Sequence, residues 1–246
     1  MNEKDFSSSM LVDTSMLNEK RDISIPGLLR FMENALEEHL LDIGMDIPTI
    51  LPKYGVFWVF LAVTAETRSP ILAGERLTAK TWTSGRVGLL FRRELSICHA
   101  DGTPAVEAEC YSALVDSATR KIVKDPAVFA HFDIPPGERL VISDSRMHPK
   151  LADFREADRR YVYPSWLDGL GHVNNSRYGD MITDVLAADE GSQDKRLKRV
   201  EFYFVGELHR GETVTLLRSD PEAGKTEFAG LHPDGSNAFF ARTYFD

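Results

Sequence analysis

Cysteine is scarce in this sequence: Cys98 and Cys110 are the two in 246 residues. Neither sits at a metal-ligand spacing or in a partner cluster. A zinc module or a disulfide framework is therefore excluded as the organising device, and two buried free thiols are expected. No Gly-x-Ser-x-Gly run occurs, which argues against a serine-hydrolase elbow. Dinucleotide-binding and Walker glycine patterns are absent as well, and no metal or cofactor is expected. Long apolar runs are missing too: the stretch around Val56 to Val63 is far too short to span a bilayer. The opening Met1-Asn2-Glu3-Lys4-Asp5 has no basic segment followed by an apolar run, so no signal peptide is expected. Positive charge is in deficit, with 29 Lys and Arg against 38 Asp and Glu, a formal net charge of -9. That disfavours nonspecific binding to nucleic acid or an anionic membrane, and no basic helix-turn-helix is evident. The expectation is a soluble cytoplasmic protein without nucleic-acid or membrane partners.

What is present is a repeat. Ile25-Pro26-Gly27 starts a helix in which Leu28, Phe31, Met32, Ala35, Leu36 and Leu40 recur at helical spacing, with Gly44 as its stop. Strands are expected at Val56 to Glu66, Arg76 to Thr83, Leu89 to Cys98 and Ala105 to Asp116, the last two joined by an Asp101-Gly102 hairpin signal. Proline and glycine then punctuate Asp125 to Phe154 without a period, as a linker would. The second half follows the same order. A strand near Arg160 leads into a loop and a helix, then a loop with Gly191 and Ser192. Strands follow at Arg199 to Glu207, Thr213 to Ser219, Lys225 to His232 and Asn237 to Phe245. Asp101-Gly102 through Tyr111 echoes Asp234-Gly235 through Tyr244, and Gly74-Glu75 echoes Gly211-Glu212. The reading is α+β: two tandem domains, each a long helix wrapped by an antiparallel sheet, able to join edge to edge.

Between the strand near Arg160 and its helix stands Ser165-Trp166-Leu167-Asp168-Gly169-Leu170-Gly171-His172-Val173-Asn174-Asn175. The glycines favour a tight loop. Asn174 or Asn175 would cap a helix carrying Tyr178, Met181, Ile182, Val185 and Leu186 on its buried face. A carboxylate and an imidazole thus lie on a constrained loop feeding a helix N-terminus, whose free amides can stabilise an oxyanion.

Asp-x-x-x-His-Val-Asn-Asn-x-x-Tyr resembles the active-site loop of hotdog-fold thioesterases. Further segments narrow the resemblance to the acyl-ACP thioesterase family, whose chains carry two hotdog domains in tandem. They are Phe57-Trp58-Val59-Phe60, Pro70 to Glu75, Lys80 to Gly85, Ser112 to Asp116 and Glu207 to Val214. The resemblance implies an N-terminal hotdog domain over 1-130, a linker over 131-153 and a catalytic domain over 154-246. It implies hydrolysis of fatty acyl-acyl carrier protein to free fatty acid, in fatty acid biosynthesis. It assigns catalytic roles to Asp168, His172 and Glu207. Either Glu207 or Asp168 is the base, since aspartate serves in other hotdog branches. Asn174 and Asn175 would flank the substrate, and Met32, Leu36, Trp58, Phe60 and Trp82 would line the acyl pocket of the first domain. Two positions depart from plant-type members: Leu170 replaces an asparagine, and Leu208 replaces a cysteine. An acidic carrier protein needs a local basic patch, for which Lys195, Arg196, Lys198 and Arg199 stand first and Arg155, Arg159 and Arg160 second. The rival readings are an acyl-CoA thioesterase and a non-catalytic acyl-thioester binding module. A homodimer is open, because tandem domains can satisfy hotdog pairing internally.

Overall fold

The computed structural model describes residues 6-140, 142, 151-187 and 196-246. The opening pentapeptide, most of the expected linker's centre (141 and 143-150), the Gly191-Ser192 loop and Lys195 lie outside the described residues.

The first half runs β1 (Phe6–Leu11), α1 (Ile25–Asp42), α2 (Ile47–Tyr54), β2 (Val56–Thr67), β3 (Arg76–Val87), β4 (Leu90–Cys98), β5 (Pro104–Asp116) and the single turn α3 (Pro126–Phe129). The second half runs β6 (Arg155–Tyr161), α4 (Asn175–Ala187), β7 (Leu197–Phe204), β8 (Thr213–Arg218), β9 (Lys225–Leu231) and β10 (Asn237–Phe245). All ten strands form one antiparallel sheet in the order β1-β3-β4-β5-β2-β7-β10-β9-β8-β6. The order reads the same from both ends, once each strand is exchanged for its repeat partner. The two copies therefore join through β2 and β7, from Ala62–Tyr203 to Glu66–Arg199, and cover each other's exposed edge. The outer edge β6 carries Arg155, Glu156, Asp158, Arg159 and Arg160, charges that discourage further strand pairing.

Local chemistry sets the ends of the elements. Ser24 caps α1 by accepting the Gly27 amide at 3.1 Å. At the other end Met45 N–H reaches Leu40 O and Gly44 N–H reaches Leu41 O, with Gly44 at φ +67°. This is a Schellman stop, which needs the left-handed residue that glycine supplies. Strand β3 continues past the expected Thr83 to Val87 because a bulge at Gly85 (φ +100°) absorbs one residue and keeps the pairing with β4. Strand β7 stops at Phe204 instead of reaching Glu207. Val205 and Gly206 N–H groups both turn to Ala238 O, at 2.9 Å each, and the ladder ends there.

The repeat is close in detail. Bridges Leu17–Ile23 and Leu167–Val173 close identical loops before α1 and α4. Val12 N–H bonds Glu75 O at 2.8 Å, and Val162 N–H bonds Glu212 O at 2.9 Å. Helices α1 and α4 pack on each other and share one apolar core with the sheet, including Leu28, Phe31, Met32, Tyr178, Met181 and Phe202. A second core, Ile50, Phe91, Phe129 and Phe132 with Trp58, lies under α2 and α3. Both cysteines are free and buried, and burial pushes the Cys110 thiol up to about 12. No helix among the described residues is long and apolar enough to cross a membrane.

Candidate active site

The Asp168 loop is built by its own aspartate. Asp168 Oδ1 accepts the Leu170 amide at 2.8 Å and the His172 amide at 3.2 Å. Asp168 N–H returns to His172 O at 2.8 Å, and Gly171 (φ +82°) makes the turn. Asn174 is the cap: its Oδ1 accepts the Ser176 amide at 3.0 Å, opening α4 at Asn175. So the Ser176 amide in the first turn of α4 is satisfied from within the chain.

The imidazole faces the turn after β7. His172 Nε2 lies 3.2 Å from Glu207 Oε2, and the His209 ring stands edge-on to His172 at 5.4 Å. Arg120 enters from the first half of the chain, donating to Glu207 Oε2 at 2.7 Å and Oε1 at 3.0 Å. It also stands 3.5 Å from His172 Nε2. Guanidinium can only donate and ionised Glu207 can only accept, so the shorter contact favours an Nε2–H donated to the carboxylate. An imidazole, a carboxylate and a guanidinium thus converge at the seam between the two halves. Such a cluster can take a proton from water and return it to a leaving group.

The other expected residues divide. Met32 and Leu36 are buried in the shared core. Trp58 packs edge-on against Phe91 and Phe132 and donates its indole N–H to Met45 O at 2.8 Å. Phe60 meets Phe204 across the β2–β7 seam. Trp82 lies on β3, which is separated from β7 by three strands, and donates to Glu138 O. Arg196 pairs with Asp22, Lys198 with Asp246, and Arg199 with Glu66 and Glu201. Leu170 is half exposed, whereas Leu208 is fully buried, its carbonyl accepting the Val173 amide. A cysteine at 208 would point into the core, so its absence here removes nothing from the Glu207 cluster.

Two polar residues escaped the sequence reading. Arg120 announced itself only through Asp116-x-x-Thr119, a turn signal just before it. The other is Glu33 on α1, spaced one helical turn from Glu37. Asn174 Nδ2 donates to Glu33 Oε2 at 3.3 Å, bridging α1 to the Asp168 loop. The two acids share a polar recess of about 300 Å³ with Arg30, Trp166, Asp168 and Arg177. Burial pushes the Glu33 carboxyl up to about 7, against the pull of hydrogen bonds from Asn175 and Asn174, and Glu37 and Asp168 add repulsion. An acid whose folded pKa exceeds its unfolded one holds extra protons when folded, so stability falls as pH rises from about 4.5 to about 7. At about 1.4 kcal/mol per unit the ceiling is about 3 kcal/mol, and partial exposure of the residue lowers it. Glu33→Gln should therefore gain stability over wild type between pH 5 and pH 8. Thermal melts at both pH values check this, and a pH-independent difference would contradict it.

The first copy of the repeat lacks the counterparts of the residues gathered here. Asn18 and Asp22 occupy the places of Asp168 and His172, and Asn18 Oδ1 accepts the Lys20 and Asp22 amides at 3.0 and 3.1 Å. Pro70, four residues before Gly74, stands where Glu207 precedes Gly211. The first copy keeps the loop geometry without the imidazole or the acid.

Residues 3–129 match the family model for the acyl-ACP thioesterase N-terminal domain, and residues 155–238 match that for the C-terminal domain. No curated protein sequence matches the chain. Among solved structures, an acyl-ACP thioesterase from Bacteroides thetaiotaomicron is 19% identical with a TM-score of 0.82, covering 100% of both chains. The 12:0-ACP thioesterase from Umbellularia californica is 16% identical with a TM-score of 0.85, over 98% of this chain and 97% of the other. These likenesses carry the tandem hotdog fold.

Proposed function

The chain belongs to the acyl-ACP thioesterase family, and from that membership we propose that it hydrolyses fatty acyl-acyl carrier protein to free fatty acid, in fatty acid biosynthesis. The observation that carries the reading is the 3.2 Å approach of His172 Nε2 to Glu207 Oε2 at the domain seam. Glu207 takes a proton from water as the water oxygen bonds the thioester carbon. The C–S bond then breaks with its electron pair on sulfur, and the thiolate recovers the proton from Glu207. His172 Nε2–H orients the carboxylate during both transfers. Asp168 holds the loop that aims the imidazole. The domains are 1-130, which supplies the acyl pocket, and 154-246, which supplies the loop.

Carrier docking falls to Arg196 and Lys198, whose partners Asp22 and Asp246 would be exchanged for acids of the carrier. Arg199 stays within its own network of Glu66 and Glu201. The test is release of free thiol from a series of acyl-carrier proteins and the matching acyl-CoAs. Turnover is expected on the carrier-bound series and is expected to be lost in Glu207→Gln. Turnover on acyl-CoA alone would transfer the reading to a CoA thioesterase. Binding without turnover would make the site a recognition module.

A further inference from the structure

We propose that Arg120 is a positioning residue through which the first domain controls the second domain's active site, a role that rests on the proposed base function of Glu207. The guanidinium grips both oxygens of Glu207, at 2.7 and 3.0 Å, from the other half of the chain. Both bonds come from one nitrogen, Nη2, and a charged donor shared by the two oxygens keeps the carboxylate turned toward it, which a contact to one oxygen does not. Without it, Glu207 keeps His172 as its single partner among the described residues, on a turn beyond the end of β7.

The backbone around Arg120 is built to aim it. Asp116 Oδ1 accepts the Thr119 amide at 2.7 Å and its hydroxyl at 2.8 Å. Arg120 N–H closes the turn on Asp116 O at 2.9 Å. Arg120 itself sits at φ +57°, a left-handed conformation that a non-glycine residue adopts at a cost. The guanidinium then lies over the Phe57 ring, 5.0 Å from its centre. Phe57 is on β2, the strand that joins the domains. The turn holds a residue that strains the backbone and sends its charge across the seam. Glycine would be the easier choice for the backbone alone.

The test is a double-mutant cycle on thioester turnover. Arg120→Met is expected to lower kcat about 100-fold, the low end of a general base's contribution, with KM nearly unchanged. Arg120→Lys recovers part of it, because it keeps the charge but not the planar guanidinium that lies over Phe57. In the Glu207→Gln background, Arg120→Met should change turnover little further, since the partner it positions is gone. Arg120→Gly, which relieves the backbone, should lose turnover while its thermal midpoint stays level or rises. Wild-type kcat in Arg120→Met overturns the proposal, as does a full additional loss in the Glu207→Gln background. A fall in the Arg120→Gly midpoint large enough to account for its lost activity overturns it too. If Glu207→Gln alone keeps full turnover, the base assignment and the positioning role fall together. If that variant is inactive and Arg120→Met is normal, only the positioning role falls.

Discussion

Glu207→Gln is expected to lower turnover about 10³-fold, while Asp168→Asn lowers it less than about 10-fold. The first figure is the mid-range contribution of a positioned general base, about 4 kcal/mol of barrier. The contrast follows from what each acid touches. Glu207 faces His172 Nε2 and the Arg120 guanidinium at the seam, where a water and a thioester carbon would meet. Asp168 Oδ1 instead accepts the backbone amides of Leu170 and His172. An asparagine keeps one acceptor oxygen and can hold both amides, so the loop survives. Asp168→Ala removes the acceptor and should cost about 1–2 kcal/mol of stability, as loss of a capping side chain does. It should also release the imidazole and lower turnover indirectly. Steady-state rates and melts for the three variants settle the assignment. A 10³-fold loss in Asp168→Asn with a normal melt would make Asp168 the base, as in other hotdog branches, and leave Glu207 a secondary role.

The repeat, the two long helices and most of the strands were legible because they rest on local signals, whereas α2 (Ile47–Tyr54) stands where Pro48 and Pro52 suggest a loop. Apolar spacing marked α1 and α4, Asp-Gly marked both long hairpins, and Gly-Glu marked the entries to β3 and β8. The loop was legible because glycines, an acid and a histidine fall within five residues. What could not be read were the contacts across the seam. Arg120 and Glu207 are 87 residues apart, and the pairing of β2 with β7 and the packing of α1 on α4 bring their halves together. Glu33 looked like one more solvent-facing acid of an amphipathic helix, until the Asp168 loop folded over it. The basic run at Arg196 to Arg199 looked free, but each of its described cations has an acid from a distant segment beside it. Spacing predicts neighbours along an element, whereas these pairs depend on which elements meet.

Gly27→Ala is expected to destabilise the protein by about 3 kcal/mol, at the upper end for overpacking a closed site. Helix propensity points the other way, because alanine is favoured over glycine inside a helix by about 0.5–1 kcal/mol. Sterics decide the sign. A Cβ at Gly27 would stand 2.3 Å from Met16 O, 2.8 Å from its Cα and 2.9 Å from its carbonyl carbon. All three are backbone atoms, and no side-chain rotation can clear them. Met16 O cannot drift away cheaply, since the Ser24 amide holds it at 2.9 Å and the Ser24 hydroxyl at 3.0 Å. Those bonds belong to the loop that caps α1, so relief in one place breaks the cap in the other. The same end of α1 presses on α4: a Cβ at Gly179 would meet Pro26 N at 3.0 Å and Leu29 Cδ1 at 3.1 Å. Displacing α1 by a few tenths of an ångström at Gly27 therefore disturbs the helix that Asn174 caps and that follows the Asp168 loop. For a chain of this length the cost corresponds to about 6–12 °C in thermal midpoint. A melt of Gly27→Ala beside Gly179→Ala checks it, with the smaller fall expected for Gly179, whose contacts are longer and include a movable side-chain methyl. An unchanged or higher midpoint for Gly27→Ala would mean that propensity wins and that the loop before α1 is compliant. In that case its counterpart before α4 would also be too soft to hold His172 against Glu207.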